Sequence, residues 1–290
     1  MKNKHAILIM AYKPKEVEYL LKQLDYELFD IYIHIDKKIN FNIKQLYNCV
    51  KKSKIYIYSK YKIYWADFSQ TKCQIFLLEE AFNKHLYSYY HLLSESDFPL
   101  KSNENLYNYF EKKGKNFIHF ESRELSNEKK KFIDRYYLFQ KYNRHSKIFT
   151  FLEEINLKIQ KIIGINRLNS NLKYCCGANW FSIKNDVAWL VLKNKKNIYK
   201  MFSNTRSSDE FVLQTLIINS DLIDTLYYKE FDNDYCACQR YIDWTRGKPY
   251  VFKEDDINEL LNCNYCFVRK VNLDDNLRKK ISIKIGDKNE

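Results

Sequence analysis

The stretch His5-Ala-Ile-Leu-Ile-Met-Ala11, followed from Pro14 by Val17, Leu20, Leu21 and Leu24, decides the fold class. A short, continuous apolar run reads as a strand covered on both faces, the way strands of a parallel sheet are buried. Pro14 suits the first turn of a helix, and the four aliphatic side chains after it fall on one stripe. The same alternation then recurs. Asp30-Ile-Tyr-Ile-His-Ile35 and Ile55-Tyr-Ile-Tyr58 read as the second and third strands, and an amphipathic helix follows from about Phe68 to Phe82. Tyr89-Tyr-His-Leu-Leu93 is the fourth strand and Asn116-Phe-Ile-His-Phe120 the fifth. Strands separated by helices of that length predict an α/β fold with a mainly parallel sheet flanked by helices on both faces.

From Ser126 to about Ser170 the chain is rich in Lys, Tyr and Phe and reads as helices and loops, an insertion covering the sheet or the acceptor side. Mixed structure returns afterwards: Asn179-Trp-Phe-Ser182 as a strand, then helices near Asn185 to Lys195, Ser208 to Asn219 and Asp255 to Asn262. No internal repeat and no Gly-, Pro- or Ser-rich linker interrupts the sequence. The expectation is one domain over residues 1–290, with a nucleotide-binding half (1–125), a helical insertion (126–170) and an acceptor and catalytic half (171–290).

Hydrophobic residues make up 46% of the chain and charged residues 29%, enough for a buried core and too ordered a balance for bulk disorder. There are only five glycines, none spaced as G-x-G and none in a Walker-type loop. That excludes the Gly-rich dinucleotide fold and the P-loop NTPases, which need bare backbone beside phosphate. No apolar run approaches 18 residues and Met1-Lys2-Asn3-Lys4-His5 leads straight into a strand, so neither a spanning helix nor a secretory signal is expected.

The formal charge is +13, from 49 Lys and Arg against 36 Asp and Glu. Such an excess favours anionic partners, among them nucleic acid, a phospholipid face or phosphorylated substrates. The 25 tyrosines and the abundance of Ile and Asn also fit A/T-rich codon usage, which by itself enriches Lys. The runs Lys51 to Lys54 and Lys129 to Lys131 read as solvated helix ends. Eight cysteines with no secretion signal imply free thiols in a reducing compartment. Cys263-Asn-Tyr-Cys266 with Cys236-Ala-Cys238 raises a zinc site, but only one true C-x-x-C exists and no H-x-x-x-H accompanies it. Cys266 also falls in a buried strand, so packed thiols are the expectation.

In an open parallel sheet the ligand sits outside the carboxyl ends of the strands. Those ends carry Ala11-Tyr12-Lys13, Asp36-Lys37-Lys38, Trp65-Ala-Asp67 and Ser94-Glu-Ser-Asp97. Acids, cations and aromatic faces in that mixture suit a nucleotide. Five segments taken together resemble the core-2/I-branching β-1,6-N-acetylglucosaminyltransferases, a family that includes peptide O-xylosyltransferases. They are Ile33-His-Ile-Asp-Lys-Lys38; Trp65-Ala-Asp-Phe-Ser-Gln70; Leu92-Leu-Ser-Glu-Ser-Asp-Phe-Pro-Leu-Lys-Ser102; Gly177-Ala-Asn-Trp-Phe-Ser182 with Ser207-Ser-Asp-Glu210; and Arg240-Tyr-Ile-Asp-Trp244 with Phe267-Val-Arg-Lys270. Order and spacing match over roughly residues 5 to 275, with a poor match in the middle insertion.

The resemblance implies a GT-A type nucleotide-diphosphosugar transferase fold, a UDP-sugar donor and inversion at the anomeric carbon. Glu210 matches the family's catalytic glutamate, which takes the proton of the acceptor hydroxyl. The spacing Ser207-x-x-Glu210 also fits a helix capping box ahead of Phe211-Val-Leu, and the two readings are compatible. Asp36 matches an aspartate that contacts uridine, or else caps the next turn. Trp65 matches an aromatic beside the uracil, or else belongs to the core. Lys270 matches the lysine assigned to the diphosphate, with Arg246 or Lys248 as a second cation; Arg269-Lys270 could instead end a strand in solvent. Glu121 matches an acceptor-contacting position, with Asp97, Arg135 and Trp180 as companions, and Trp180 reads equally as core. His34 reads as a packed histidine.

Glu95-Ser-Asp97 is not a D-x-D metal motif, and the formal D-x-D, Asp232-Asn-Asp234, lies after the candidate base. The resembled family includes enzymes that dispense with metal and use basic side chains, so the resemblance implies no cofactor and no divalent metal, with basic side chains neutralising the departing UDP. The leading reading is an inverting transferase moving GlcNAc from UDP-GlcNAc to a glycan or lipid-linked saccharide in surface polysaccharide or lipooligosaccharide synthesis. UDP-xylose is the alternative donor. A basic single-stranded nucleic-acid-binding protein is the remote rival, without an RNP-type signature, and a non-catalytic sugar-nucleotide binder is opposed by the intact Glu210. Animal members of the family carry a membrane anchor that this sequence lacks, so the resemblance implies a bacterial, cytoplasmic relative; the positive charge, with no anchor, adds the expectation of a peripheral contact with the inner face of an anionic membrane.

Overall fold

The structure is a computed structural model that describes residues 2–143, 146–271 and 275–287. Strand β1 (His5–Ala11) leads into helix α1 (Pro14–Gln23), which Pro14 opens in its first turn. Next come β2 (Phe29–Ile35), the single turn α2 (Lys44–Tyr47), β3 (Lys54–Tyr58), α3 (Ser69–Lys84), β4 (Tyr89–Ser94), β5 (Asp97–Pro99), α4 (Asn103–Lys113) and β6 (Phe117–Ile118). The middle segment holds α5 (Asn127–Lys130), α6 (Gln140–Asn143) and α7 (Lys147–Ile162). The remainder is β7 (Phe181–Lys184), α8 (Asn185–Lys193), α9 (Lys195–Phe202), α10 (Val212–Ile218), β8 (Arg240–Ile242), α11 (Ile257–Asn262), β9 (Phe267–Arg269) and α12 (Asp275–Asp287).

The main sheet has the order β3-β2-β1-β4-β7-β6, with the first four strands parallel. Along β1, Ala6 and Leu8 face one apolar layer with α3, α8 and α10, while Ile7 and Ile9 face another with α1, α4 and α12. Burial on both sides is why this strand shows no polar alternation. Truncating Leu8 to Ala would cost about 2–5 kcal/mol, because the layers around it cannot collapse into the hole. The mainly parallel α/β architecture matches the sequence expectation.

Three features depart from it. β7 pairs antiparallel with both β4 and β6, because hydrophobic period carries no information on strand direction. The fifth strand shrinks to Phe117–Ile118, since beyond Ile118 the backbone bonds elsewhere: Glu121 N–H donates to Cys176 O at 2.9 Å. A second sheet of order β5-β9-β8, with Asp97 opposite Arg269, lies beyond the carboxyl end of β4.

Chain order reverses between β1 and β4, where an open α/β sheet forms its crevice. The loops after β1, β2 and β4 share that edge, and β9 brings Lys270 to it: Val271 N–H donates to Ser96 O at 2.8 Å. Among the described residues, no helix is long and apolar enough to cross a membrane.

Candidate active site

Glu210 stands at the end of a short 3-10 turn, Ser208–Glu210, just ahead of α10. The capping-box alternative is corrected here. Ser207 has a left-handed backbone (φ 51°) and makes no side-chain cap, whereas a capping residue needs extended backbone. Its N–H donates instead to Ala66 O at 2.8 Å, directly after Trp65. Ser208 Oγ and Thr71 Oγ1 lie 2.6 Å apart, and Asp209 Oδ2 accepts from Asn179 Nδ2 (3.0 Å) and Gln70 Nε2 (3.3 Å). The Trp65 loop, the start of α3 and the Glu210 turn are thereby one hydrogen-bonded unit. Burial, with the neighbouring Glu210 charge, raises the Asp209 carboxyl to about 7.

Freed from capping, the Glu210 carboxylate meets Lys129, with Oε2 3.6 Å from Nζ. The same ammonium lies 3.0 Å from Glu121 Oε2, which also accepts from Cys176 Sγ at 3.1 Å. Glu210 and Glu121 are thus brought together by a residue that the sequence reading placed in solvent. The Lys129 side chain is only 27% exposed. Lys129 gives no signal in a Lys-Lys-Lys run; only the α5 turn, capped by Ser126 Oγ on Lys129 N–H at 3.2 Å, aims it inward.

The two carboxylates are tuned apart. Burial raises Glu210 above the ordinary range, opposed by Lys129 and Arg206. Burial would raise Glu121 as well, but the Cys176 thiol and the Lys129 ammonium outweigh it, and its pKa falls. Lys129 itself is raised, because Glu121 and Glu210 outweigh its own burial. Beside them His119 stacks on Tyr235 (centroids 4.3 Å apart), and its Nδ1 accepts from Ala178 N–H at 2.9 Å. Gly177 leaves no room for a side chain: a Cβ there would lie 2.0 Å from His119 O. Its N–H donates to Glu210 O at 2.9 Å.

At the strand ends Asp36 is buried, and Oδ1 accepts from Lys38 N–H at 2.9 Å, so it does cap the next turn. Its Oδ2 meets Lys38 Nζ and Ile63 N–H, both at 3.4 Å, which ties the turn to the loop that bears Trp65. Trp65 is 58% exposed, and the core alternative is corrected accordingly. His34 is buried as read, and Nε2 accepts from Lys60 N–H (3.1 Å) and Tyr61 N–H (2.9 Å). Burial lowers its pKa to about 4.

Lys270 is half-buried, and its ammonium has no hydrogen-bond or ion-pair partner among the described residues. Burial and the adjacent Arg269 charge depress its pKa, the setting of a cation that lacks an anion. Arg246 is committed elsewhere: it bonds Asp243, Asp256 (3.0 Å) and Glu259 (2.7 Å). That leaves Lys248, exposed and without such a partner among the described residues, as the open cation of the pair.

The acceptor companions are held differently. Asp97 has no exposed surface; Oδ2 accepts from Ser94 Oγ at 3.0 Å and pairs with Arg269 at 3.3 Å, so its role in this arrangement is to fix Arg269. That guanidinium lies 4.0 Å from the Trp180 ring centroid, which puts Trp180, half-buried, in the same column. Arg135 pairs with Asp134 at 3.8 Å and, among the described residues, makes no hydrogen bond or ion pair with Glu210 or Glu121. Cys238 and Cys266 are buried thiols, each raised to about 12 by burial. Among the described residues no group of three or more His, Cys, Asp or Glu is placed to hold a metal ion.

The comparisons with known proteins bear on this arrangement. The family model for the core-2/I-branching enzymes matches residues 6–261, and the chain belongs to that family. No curated protein matches it. Among solved structures, S. aureus TarS 1-349 aligns at 10% identity and a TM-score of 0.37, covering 75% of this chain and 56% of that one. The same S. aureus protein in complex with UDP aligns at 11% identity and a TM-score of 0.28, covering 59% of this chain and 51% of that one. The chain therefore spans little more than half the length of those structures.

Proposed function

We propose that this chain is an inverting glycosyltransferase of GT-A type. It moves a sugar, GlcNAc in the leading reading, from a UDP-sugar to a hydroxyl of a glycan or lipid-linked saccharide. The observation that carries the reading is Glu210: a carboxylate beside an ammonium, on a turn hydrogen-bonded to the loop of the exposed Trp65. Membership of the core-2/I-branching family over residues 6–261 supports it.

In the proposed step the acceptor hydroxyl gives its proton to Glu210 while its oxygen attacks the anomeric carbon. The bond from that carbon to the diphosphate oxygen breaks on the opposite face, and UDP leaves with the electron pair. Lys129 opposes the rise that burial imposes on the Glu210 carboxyl and so favours the ionised form that a base requires. Glu121 orients the acceptor through the shared ammonium. Lys270 and Lys248 meet the charge developing on the diphosphate, in place of a metal ion. Trp65 offers its face to the uracil, and Asp36 holds the Lys38 turn and the Trp65 loop in register.

The experiment is a panel of UDP-GlcNAc, UDP-xylose, UDP-galactose and GDP-mannose, assayed for release of nucleoside diphosphate with and without EDTA. Turnover of UDP-GlcNAc that survives EDTA is expected. Preference for UDP-xylose would shift the donor assignment, and loss of activity restored by manganese would overturn metal independence.

A further inference from the structure

Helix α7 is mounted with its apolar face outward. Its inner face is polar: Glu153 accepts from Leu138 N–H (3.1 Å) and Phe139 N–H (2.6 Å), and Gln160 accepts from Tyr136 N–H (2.8 Å). Both side chains are buried. The exposed side carries Ile148, Phe151, Leu152, Ile155, Ile159 and Ile162, with Ile148 70% and Ile162 83% exposed. A spacing of i, i+3, i+4, i+7, i+11 and i+14 is one continuous stripe over four turns. Single exposed apolar side chains are ordinary, whereas a contiguous stripe marks an interaction surface.

The charge beside the stripe selects the partner. Lys147, Lys158 and Lys161, at i, i+11 and i+14, form a parallel row along one edge; all three are exposed and without ion-pair partners among the described residues. Between Lys141 and Lys173 the sequence carries seven Lys and Arg against Glu153 and Glu154, and Glu153 is buried. A second copy of the chain would bring like charges together across the stripe. A bilayer of anionic lipid offers apolar depth to the isoleucines and phosphate to the lysines.

We propose that α7 is an interfacial helix that docks this protein on an anionic phospholipid surface, its apolar stripe inserted and its lysine row at the headgroups. The α7 side chains Glu153 and Gln160 hold the backbone N–H groups of Tyr136, Leu138 and Phe139, in the same stretch of chain that carries Lys129, which joins the docked helix to the segment that supplies the site's ammonium. In that respect alone the inference deepens the reading above, by naming where a lipid-linked acceptor is met.

The test uses the full chain without donor or acceptor, so that it stands apart from catalysis. Co-sedimentation is measured with vesicles of phosphatidylcholine alone and of phosphatidylcholine with phosphatidylglycerol. Binding is expected to the anionic vesicles and to weaken with salt as the Debye length shrinks from about 10 Å at 0.1 M. Ile155→Glu with Ile159→Glu lowers the bound fraction by about tenfold or more, with the far-ultraviolet circular dichroism unchanged. Lys147→Ala, Lys158→Ala and Lys161→Ala together flatten the salt dependence. Phe151→Trp, binding as the parent does, shifts its emission to the blue on anionic vesicles only. Absence of binding, or binding indifferent to all these variants, overturns the proposal. So does a dimer that the Glu variants dissociate in the absence of vesicle binding, which assigns the stripe to a second copy.

Discussion

The Lys129 ammonium stands 3.6 Å from the Glu210 carboxylate, joining a turn before α10 to a turn at the start of the middle segment. In that contact the ammonium opposes the rise that burial gives the Glu210 carboxyl.

Glu210→Gln keeps the shape of the side chain and removes its capacity to take a proton. Transfer is expected to fall by about 10²–10⁴-fold. UDP affinity by calorimetry is expected to stay within twofold or so of the parent, since no nucleotide contact is assigned to Glu210. Retained turnover removes it from the mechanism.

Lys129→Met tests the tuning of the base. Glu210 is already raised by burial, and Lys129 is what opposes that rise. Without the ammonium the pKa climbs further, and the base protonates at a higher pH as acid is added. The acid limb of the kcat/KM profile is expected to move to higher pH. Lys129→Arg is expected to return it most of the way. A profile unmoved in Lys129→Met shows that the contact has no catalytic consequence.

Gly177→Ala tests the backbone under the site. The added Cβ would lie 2.0 Å from His119 O, and each segment is tied where it would have to yield: Gly177 N–H donates to Glu210 O at 2.9 Å, and His119 O accepts from Gln214 Nε2 at 3.0 Å. A loss of about 1–3 kcal/mol by chemical denaturation is expected, the range of forced overpacking, together with reduced turnover. Unchanged stability would mean that the two segments separate freely.

Lys270→Ala and Arg246→Ala separate an open cation from one already committed to carboxylates. A charge-assisted hydrogen bond is worth about 1.5–3 kcal/mol, so losing Lys270 is expected to weaken UDP binding by about tenfold or more. Arg246 is engaged by three carboxylates, and its removal is expected to leave UDP affinity unchanged. The reverse pattern in calorimetry would exchange their roles.

Much of the fold is legible in the residue pattern. The unbroken apolar run of β1 and the stripe after Pro14 each follow from local burial, and both elements stand where they were read. Strand direction is not local: β7 turns against β4 because of where the chain returns to the sheet. At the site, Glu210 and Glu121 are adjacent in space although 89 positions separate them, and the bridging Lys129 hides in a run of identical residues. Asp97 looked available to a ligand, and its burial against Arg269 depends on β9 pairing from the far end of the chain.

Helix α7 draws the boundary most plainly. Its sequence determines that Ile148, Phe151, Ile155, Ile159 and Ile162 share one side and Glu153 and Gln160 another, because a helix repeats every 3.6 residues whatever surrounds it. Only the tertiary structure decides which side turns inward. There the free backbone N–H groups of residues 136, 138 and 139 require acceptors, and Glu153 and Gln160 supply them, which leaves the aliphatic side to the outside.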